Sequence, residues 1–367
     1  MTFARDDGFK TDSLSFFAQG TYNLSPQLEL SAGARFSLER RDSYQRSLPG
    51  HVAFSAAFPA GIELRDKYKD HNLSPEVTLR YKPSRDTTFY ASYKQGFKAG
   101  GFNISQALTP AASVQAGEFS SETAAGGEIG YRTLALGRRL TLSVTGYRYV
   151  YKDLQVQFFD PTTISLTAGN AGKLRTQGLE ADFNLRVPSA RGLSLRGAVA
   201  FNDAEYQDYV GQCYSGQTVA QGCNLLPANG VFNGQNYDGR TPPKAPHFAG
   251  RAGFTWEVPL NVYGLGLRAT GDVSRTSKYN FTDALRPDAI QKGFTKFDAA
   301  LALNGPDERW TLSLIGRNLT NKLVVTAAND LPFTGGTGTG TALGVVSDMS
   351  AFVDNPREVY LELALKF

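Results

Sequence analysis

The chain has 367 residues, 41% hydrophobic and 20% charged, and its 38 Lys and Arg against 34 Asp and Glu leave a formal charge of +4. That charge is spread thinly, without the basic block that nucleic-acid binding needs, so no nucleic-acid partner is expected. No apolar run approaches the roughly 18 residues of a membrane-crossing helix, which excludes a helical membrane protein. A total of 38 Gly and 12% aromatic residues suits many strands and turns instead. Hydropathy alone does not separate a soluble β protein from a membrane β-barrel, whose apolar residues alternate with polar ones.

Met1 to Gly8 carries neither the basic start nor the apolar stretch of a signal peptide, which leaves a cytoplasmic protein or one whose true N-terminus is missing. From there the period is two nearly everywhere. Leu14, Phe16, Ala18, Gly20 and Tyr22 share one face of a first strand, and Leu28, Leu30, Ala32, Ala34, Phe36 and Leu38 share one face of a second. The pattern returns at Leu179 to Val187, Leu193 to Phe201, Phe248 to Trp256 and Leu265 to Val273. Each run matches the roughly nine to eleven residues of a tilted strand crossing a bilayer, longer than an ordinary strand.

The connections alternate in length. Short ones at Asn23 to Pro26, Pro83 to Asp86, Thr133 to Arg138, Pro188 to Gly192, Val258 to Tyr263 and Gly305 to Glu308 are rich in turn residues. Between them lie longer ones, read as 41 to 71, 99 to 120, 153 to 173, 207 to 243, 280 to 294 and 321 to 355. Short turns on one side and long loops on the other are the layout of an outer-membrane barrel. The opposite strand face repeats Glu29, Arg35, Glu76, Arg80, Glu128, Arg132, Glu180, Asp182, Arg196, Arg251, Arg268 and Asp272, which would line a polar lumen.

The expected fold is therefore an all-β, antiparallel transmembrane barrel, partial, with about 13 to 14 strands of a larger barrel. With thirteen, the first and last strands run the same way, and an antiparallel sheet of that parity does not close on itself. A missed strand in 41 to 71 or 321 to 355 would instead give a complete, roughly fourteen-stranded passive channel, the alternative reading. The last strand places Val359, Leu361, Leu363, Leu365 and the terminal Phe367 on one face, the form in which outer-membrane barrels present themselves to the barrel-assembly machinery.

Cys213 and Cys223, the only cysteines, lie in a Gly-, Asn- and Gln-rich segment without further metal ligands nearby, so a disulfide in an oxidising compartment is expected. The same 207 to 243 loop and its edge hold Tyr206, Tyr209, Tyr214, Phe232 and Tyr237, aromatics among adaptable amides that suit capture of a small-molecule ligand. Catalytic patterns are poor. His51, His71 and His247 are scattered, no Gly-x-Ser-x-Gly elbow occurs, and the Gly335 to Gly344 tract lacks a following helix. No enzyme activity, metal or cofactor is expected.

Several stretches resemble TonB-dependent outer-membrane receptors: Thr88 to Asn103 (TFYASYKQGFKAGGFN), Tyr151 to Val156 (YKDLQV), Thr176 to Ala181 (TQGLEA), Gly316 to Lys322 (GRNLTNK) and Asn355 to Glu358 (NPRE). They stand in the family's order and cover most of the chain. The resemblance implies a barrel of about 22 strands, plugged by an N-terminal domain, in the outer membrane of a Gram-negative bacterium. Residues 1–367 then correspond to the C-terminal portion of the barrel, with the N-terminal plug domain absent. It further implies uptake of a scarce nutrient, most often a ferric siderophore, with the TonB energy complex engaged only through the missing N-terminal region. Outer-membrane lipid and the barrel-assembly machinery are the other partners implied.

Overall fold

The computed structural model describes residues 4–160, 165–225, 234–260, 262–331, 334–335 and 345–366. Thirteen strands form one antiparallel sheet in strict sequence order. They are β1 (Ala4–Ser25), β2 (Leu28–Leu48), β3 (Glu63–Ser84), β4 (Thr87–Lys98), β5 (Glu122–Ala135), β6 (Leu140–Asp160) and β7 (Ser165–Arg186), followed by β8 (Leu193–Gln207), β9 (Phe248–Pro259), β10 (Gly266–Thr276), β11 (Phe294–Asn304), β12 (Trp310–Arg317) and β13 (Glu358–Leu365). β1 and β13 are the edges of this sheet and run in the same direction, as the odd count requires.

Register carries the apolar stripe from strand to strand without a change of face. Phe16 opposes Phe36, and Phe36 opposes Leu73. Ile129 opposes both Ala91 and Gly146, Val199 opposes Ala181 and Gly250, and the row Trp256, Ala269, Leu301, Leu314, Leu361 crosses β9 to β13. Since side chains alternate with period two, a slip of one residue at any seam would have flipped the stripe. The face is bare: Phe16, Ile129, Leu301, Leu314 and Leu361 are all exposed. A continuous apolar surface of this extent requires lipid or protein against it.

The other face carries charges that pair between adjacent strands or across one intervening strand. Arg80 and Lys82 donate to Glu29 at 2.7 and 2.8 Å, Lys94 donates to Glu128 at 2.9 Å, and Arg196 and Arg251 share Asp272 at 2.6 and 3.1 Å. Cross-strand pairs of opposite charge support the ladder while leaving the surface polar.

Two of the long connections read from the sequence are in fact strand. β2 and β3 continue to Leu48 and from Glu63, so the connection is 49–62 rather than 41–71, and β6 and β7 continue to Asp160 and from Ser165, well inside 153–173. For β2 and β3 the physical reason is that Arg40, Arg41 and Asp42 face Lys69, Tyr68 and Lys67 across the ladder. There both faces are polar, so the hydropathy alternation fades while the backbone pairing persists. Among the described residues, neither place proposed for a fourteenth wall strand holds one. The first is this extension, and within 321–355, Val325–Asp330 and Met349–Val353 pair with each other as a separate hairpin.

Turns at the opposite end are tight and use left-handed backbone. Leu136, Gly137 and Arg138 lie at φ 52, 63 and 64, and Gly192 lies at φ 80, where a Cβ would stand 1.9 Å from the Glu257 carbonyl oxygen. Glycine is the residue that meets both demands at position 192.

Candidate functional site

At the long-loop end, the connection from β8 to β9 folds into a small unit of its own. Val210–Gln212 pairs with Gly234–Asn236, and a single turn at Val219–Gln221 is capped reciprocally by Thr218 and Gln221. Cys213 and Cys223 are joined in a disulfide, S–S 2.01 Å, closing the segment between strand and turn. Gln217 and Gln235 are buried beneath it. Gln217 Nε2 donates to Gln235 Oε1 at 3.2 Å, and Gln235 Nε2 donates to the Gln212 carbonyl at 2.9 Å and to the Tyr237 hydroxyl at 3.1 Å. Buried amides satisfied in this way specify one loop conformation, because any other leaves them without partners.

This unit brings three of the five aromatic residues together. Tyr206 and Tyr209 have ring centroids 5.0 Å apart, Tyr209 stacks on Tyr237 at 5.1 Å with 17° between planes, and Tyr206 lies 5.8 Å from Tyr237. Backbone bonds fix their placement: Tyr237 N donates to the Tyr209 carbonyl and Gly239 N to the Tyr206 carbonyl, at 2.9 and 3.0 Å. Tyr214 is also buried but stands elsewhere, with the Arg286 guanidinium 5.9 Å from its ring centre. Phe232 and Phe367 lie outside the described residues.

A cavity of about 180 Å³ opens among these loops, lined by Tyr206, Tyr209, Tyr237, Asp283, Arg286 and Asp330 among others. Arg286 ties three connections together. It grips Asp288 with two nitrogens at 2.8 and 3.1 Å, and donates to Asp330 at 2.5 Å and to the Ser347 carbonyl at 3.0 Å, while Asp330 also accepts from Ser215 N at 2.8 Å. Arg286, Asp283, Asp330, Gln217 and Gln235 were not legible as site residues. They are isolated polar residues in three separate loops, and only the folded loops bring them together.

Burial governs the titration of the group. The Tyr209 phenol is pushed up to about 12, chiefly by desolvation, and Tyr237 is pushed up further for the same reason. Crowding raises the Asp283 carboxyl, although its side chain still reaches solvent, and the bond from Arg286 holds the Asp288 carboxyl below its usual range. For Tyr209 the sign is that of a folded pKa above the unfolded value of about 10. The packed cluster is therefore fully stable below pH ~10 and loses this contribution as pH rises towards 12. A tyrosinate absorbance titration should show part of the tyrosine ionising late, together with loss of loop protection, and Tyr209→Phe should remove the alkaline step.

The three histidines stay apart. His51 accepts from Ala53 N in the β2–β3 connection, His71 lies on β3 beside Phe36, and His247 contacts the Asn202 carbonyl just before β9. No group of three or more His, Cys, Asp or Glu able to hold a metal occurs among the described residues.

The sequence model of the family described as TonB dependent receptor-like, beta-barrel matches residues 2–319. The chain belongs to that family. Barrels of TonB-dependent receptors lie in the outer membrane of Gram-negative bacteria and serve in transport rather than catalysis. The bare stripe therefore faces lipid, and the long loops with their cavity face the exterior.

Among curated relatives, the pesticin receptor of Yersinia pestis is 25% identical over 201 residues, which is 54% of this chain and 27% of that protein. The solved structure of the ferric yersiniabactin uptake receptor FyuA from Yersinia pestis has a TM-score of 0.73 at 17% identity, covering 100% of this chain and 47% of that one. The siderophore receptor PiuA from Acinetobacter baumannii gives 0.68 at 18%, covering 99% and 44%. The ferric-catecholate import receptor Fiu of E. coli K12, in its closed form, gives 0.66 at 14%, covering 98% and 45%. These likenesses establish the fold. The chain spans less than half the length of each of these relatives.

Proposed function

We propose that this chain forms the C-terminal stretch of wall in a plugged TonB-dependent receptor, and that the receptor imports a ferric siderophore captured at the loop cavity. The observation that carries the reading is the cavity itself, where Tyr206 at the end of β8 and Tyr209 and Tyr237 of the β8–β9 connection meet two further loops above a polar lumen. Sites of this kind combine aromatic walls with a few placed polar groups. Two features support a larger barrel. β1 and β13 are unpaired edges of equal direction, and the relatives with this fold are more than twice as long. An odd number of further strands completes an even, antiparallel wall. Coupling to the energy complex then belongs to the N-terminal plug region, outside this chain.

The test is uptake of iron-55 presented as catecholate, hydroxamate, phenolate and citrate complexes by iron-starved cells carrying the intact receptor. At least one complex should accumulate only when the membrane is energised. Gly172→Val should reduce its binding about tenfold or more, since a Cβ there would stand 1.7 Å from the Asp208 carbonyl oxygen and would displace the segment presenting Tyr206 and Tyr209. Energy-independent passage of solutes at an unchanged rate would instead identify a passive channel and sink the proposal.

A further inference from the structure

The loop cavity has an unbalanced set of polar groups. Three charged side chains line it, and two of them, Arg286 and Asp330, are bound to each other. The third, Asp283, makes no hydrogen bond and no ion pair with any described residue. Lys244 is close enough to act on its charge, yet the two form no contact pair. The Tyr206 side chain is 6% exposed, and neither its hydroxyl nor that of Tyr209 bonds to a described residue, although both residues line the cavity. Asp283 is exposed and the phenols belong to residues lining the cavity, so these groups are open to an occupant that can exchange for the water on them.

We infer that the cavity binds an organic ammonium group, with Asp283 as counter-charge and Tyr206 and Tyr209 as aromatic walls and hydrogen-bond acceptors. An anionic group would be repelled by the Asp283 carboxylate, with Arg286 already held by Asp288 and Asp330 and Lys244 exposed and making no contact with Asp283. A neutral apolar group would exclude water from the carboxylate and return nothing for it. An ammonium N–H donates to both the carboxylate and a phenol oxygen, and its charge is attracted to the ring faces. The cluster already holds one cation in this manner: the Arg240 guanidinium lies 5.2 Å from the Tyr237 ring centre. A bare metal ion is the poorer match, since a single carboxylate and two phenols do not make a metal-ligand set. The volume of about 180 Å³ suits an aminoalkyl arm of a larger ligand rather than the whole of one.

This inference deepens the receptor reading by naming the chemistry of its ligand, and it can be tested without transport. Outer membranes containing the full protein would be examined for binding of n-butylammonium, with 1-butanol as the neutral probe of equal length, by saturation-transfer NMR. The ammonium should bind at least about tenfold more tightly. Asp283→Asn should bring the two probes within about twofold of each other, and Tyr206→Phe should weaken the ammonium alone. Formation of the Cys213–Cys223 disulfide in each variant reports that the loop has folded. Equal affinity for both probes, a preference that survives Asp283→Asn, or no binding of either probe overturns the inference. Energy-dependent uptake of a ferric complex would still stand in those cases, so failure here is distinguishable from failure of the receptor reading.

Discussion

Arg286→Met is expected to destabilise the packed loops by about 3–5 kcal/mol, the usual consequence of removing one partner from a buried ion pair. The guanidinium is 3% exposed and the Asp330 carboxylate 10%, so the loss leaves a buried anion whose remaining hydrogen-bond partner among the described residues is the Ser215 amide. The three connections are also joined by bonds from Gln235 and Arg240 to the Ala284 and Leu285 carbonyls and by the packing of Phe281 on Ala328, so the effect should be confined to the loops. Protease cleavage of the exterior loops on whole cells should accelerate by two orders of magnitude or more, while the barrel core stays resistant. The matched control is Arg138→Met. Arg138 meets Asp86 at 2.8 Å, but the side chains are 64% and 40% exposed, so that change should alter stability by less than about 1 kcal/mol. Equal protease sensitivity in the two variants would show that Arg286 is not what holds the loops together.

The contrast between those two arginines also shows why the wall was legible in the sequence and the site was not. Wall strands obey one local rule, alternation with period two, and the rule holds for Leu28 to Leu38 as it does for Val359 to Leu365. Short turns carry their own chemistry in Gly137 and Gly192. Where alternation stops reporting burial, sequence reading stops as well. The extensions of β2 and β3 were taken for loop because polar residues on both faces carry no period, whereas those of β6 and β7 were missed although Leu154 and Val156 still alternate with Gln155 and Gln157. The tyrosines were recognisable as loop aromatics, but the convergence of Tyr206, Tyr209 and Tyr237, and the isolation of Tyr214 from them, depends on where the buried Gln217 and Gln235 find partners. Asp283 and Arg286 differ by three positions and by their whole role. One is bound on two sides and the other is bound on none, a difference set by Asp288 and Asp330 rather than by either residue's neighbours in sequence.

Placing one arginine on either face of the wall tests its orientation in the membrane. Leu314 lies in a row between Leu301 and Leu361, is 51% exposed, and is flanked on β12 by Leu312 on the same face. With lipid against that row, Leu314→Arg buries a charge in hydrocarbon and should destabilise the barrel by about 2–4 kcal/mol if the row sits near the bilayer midplane, and by less towards the interface. Ala300→Arg introduces the same side chain one residue away on the lumen face, opposite Thr270 and Ile315. There water and the carboxylates of Asp298 and Asp272, which face each other across β10 and β11, receive it, and the change should fall within about 1 kcal/mol. Urea or guanidinium unfolding of the protein in lipid vesicles, followed by tryptophan fluorescence from Trp256 and Trp310, measures both. A larger loss for Ala300→Arg than for Leu314→Arg would mean that the apolar row is packed against protein and the charged face is not a wet lumen. The reverse order, with the predicted gap, follows from a barrel whose apolar stripe is its lipid surface at every seam from β1 to β13.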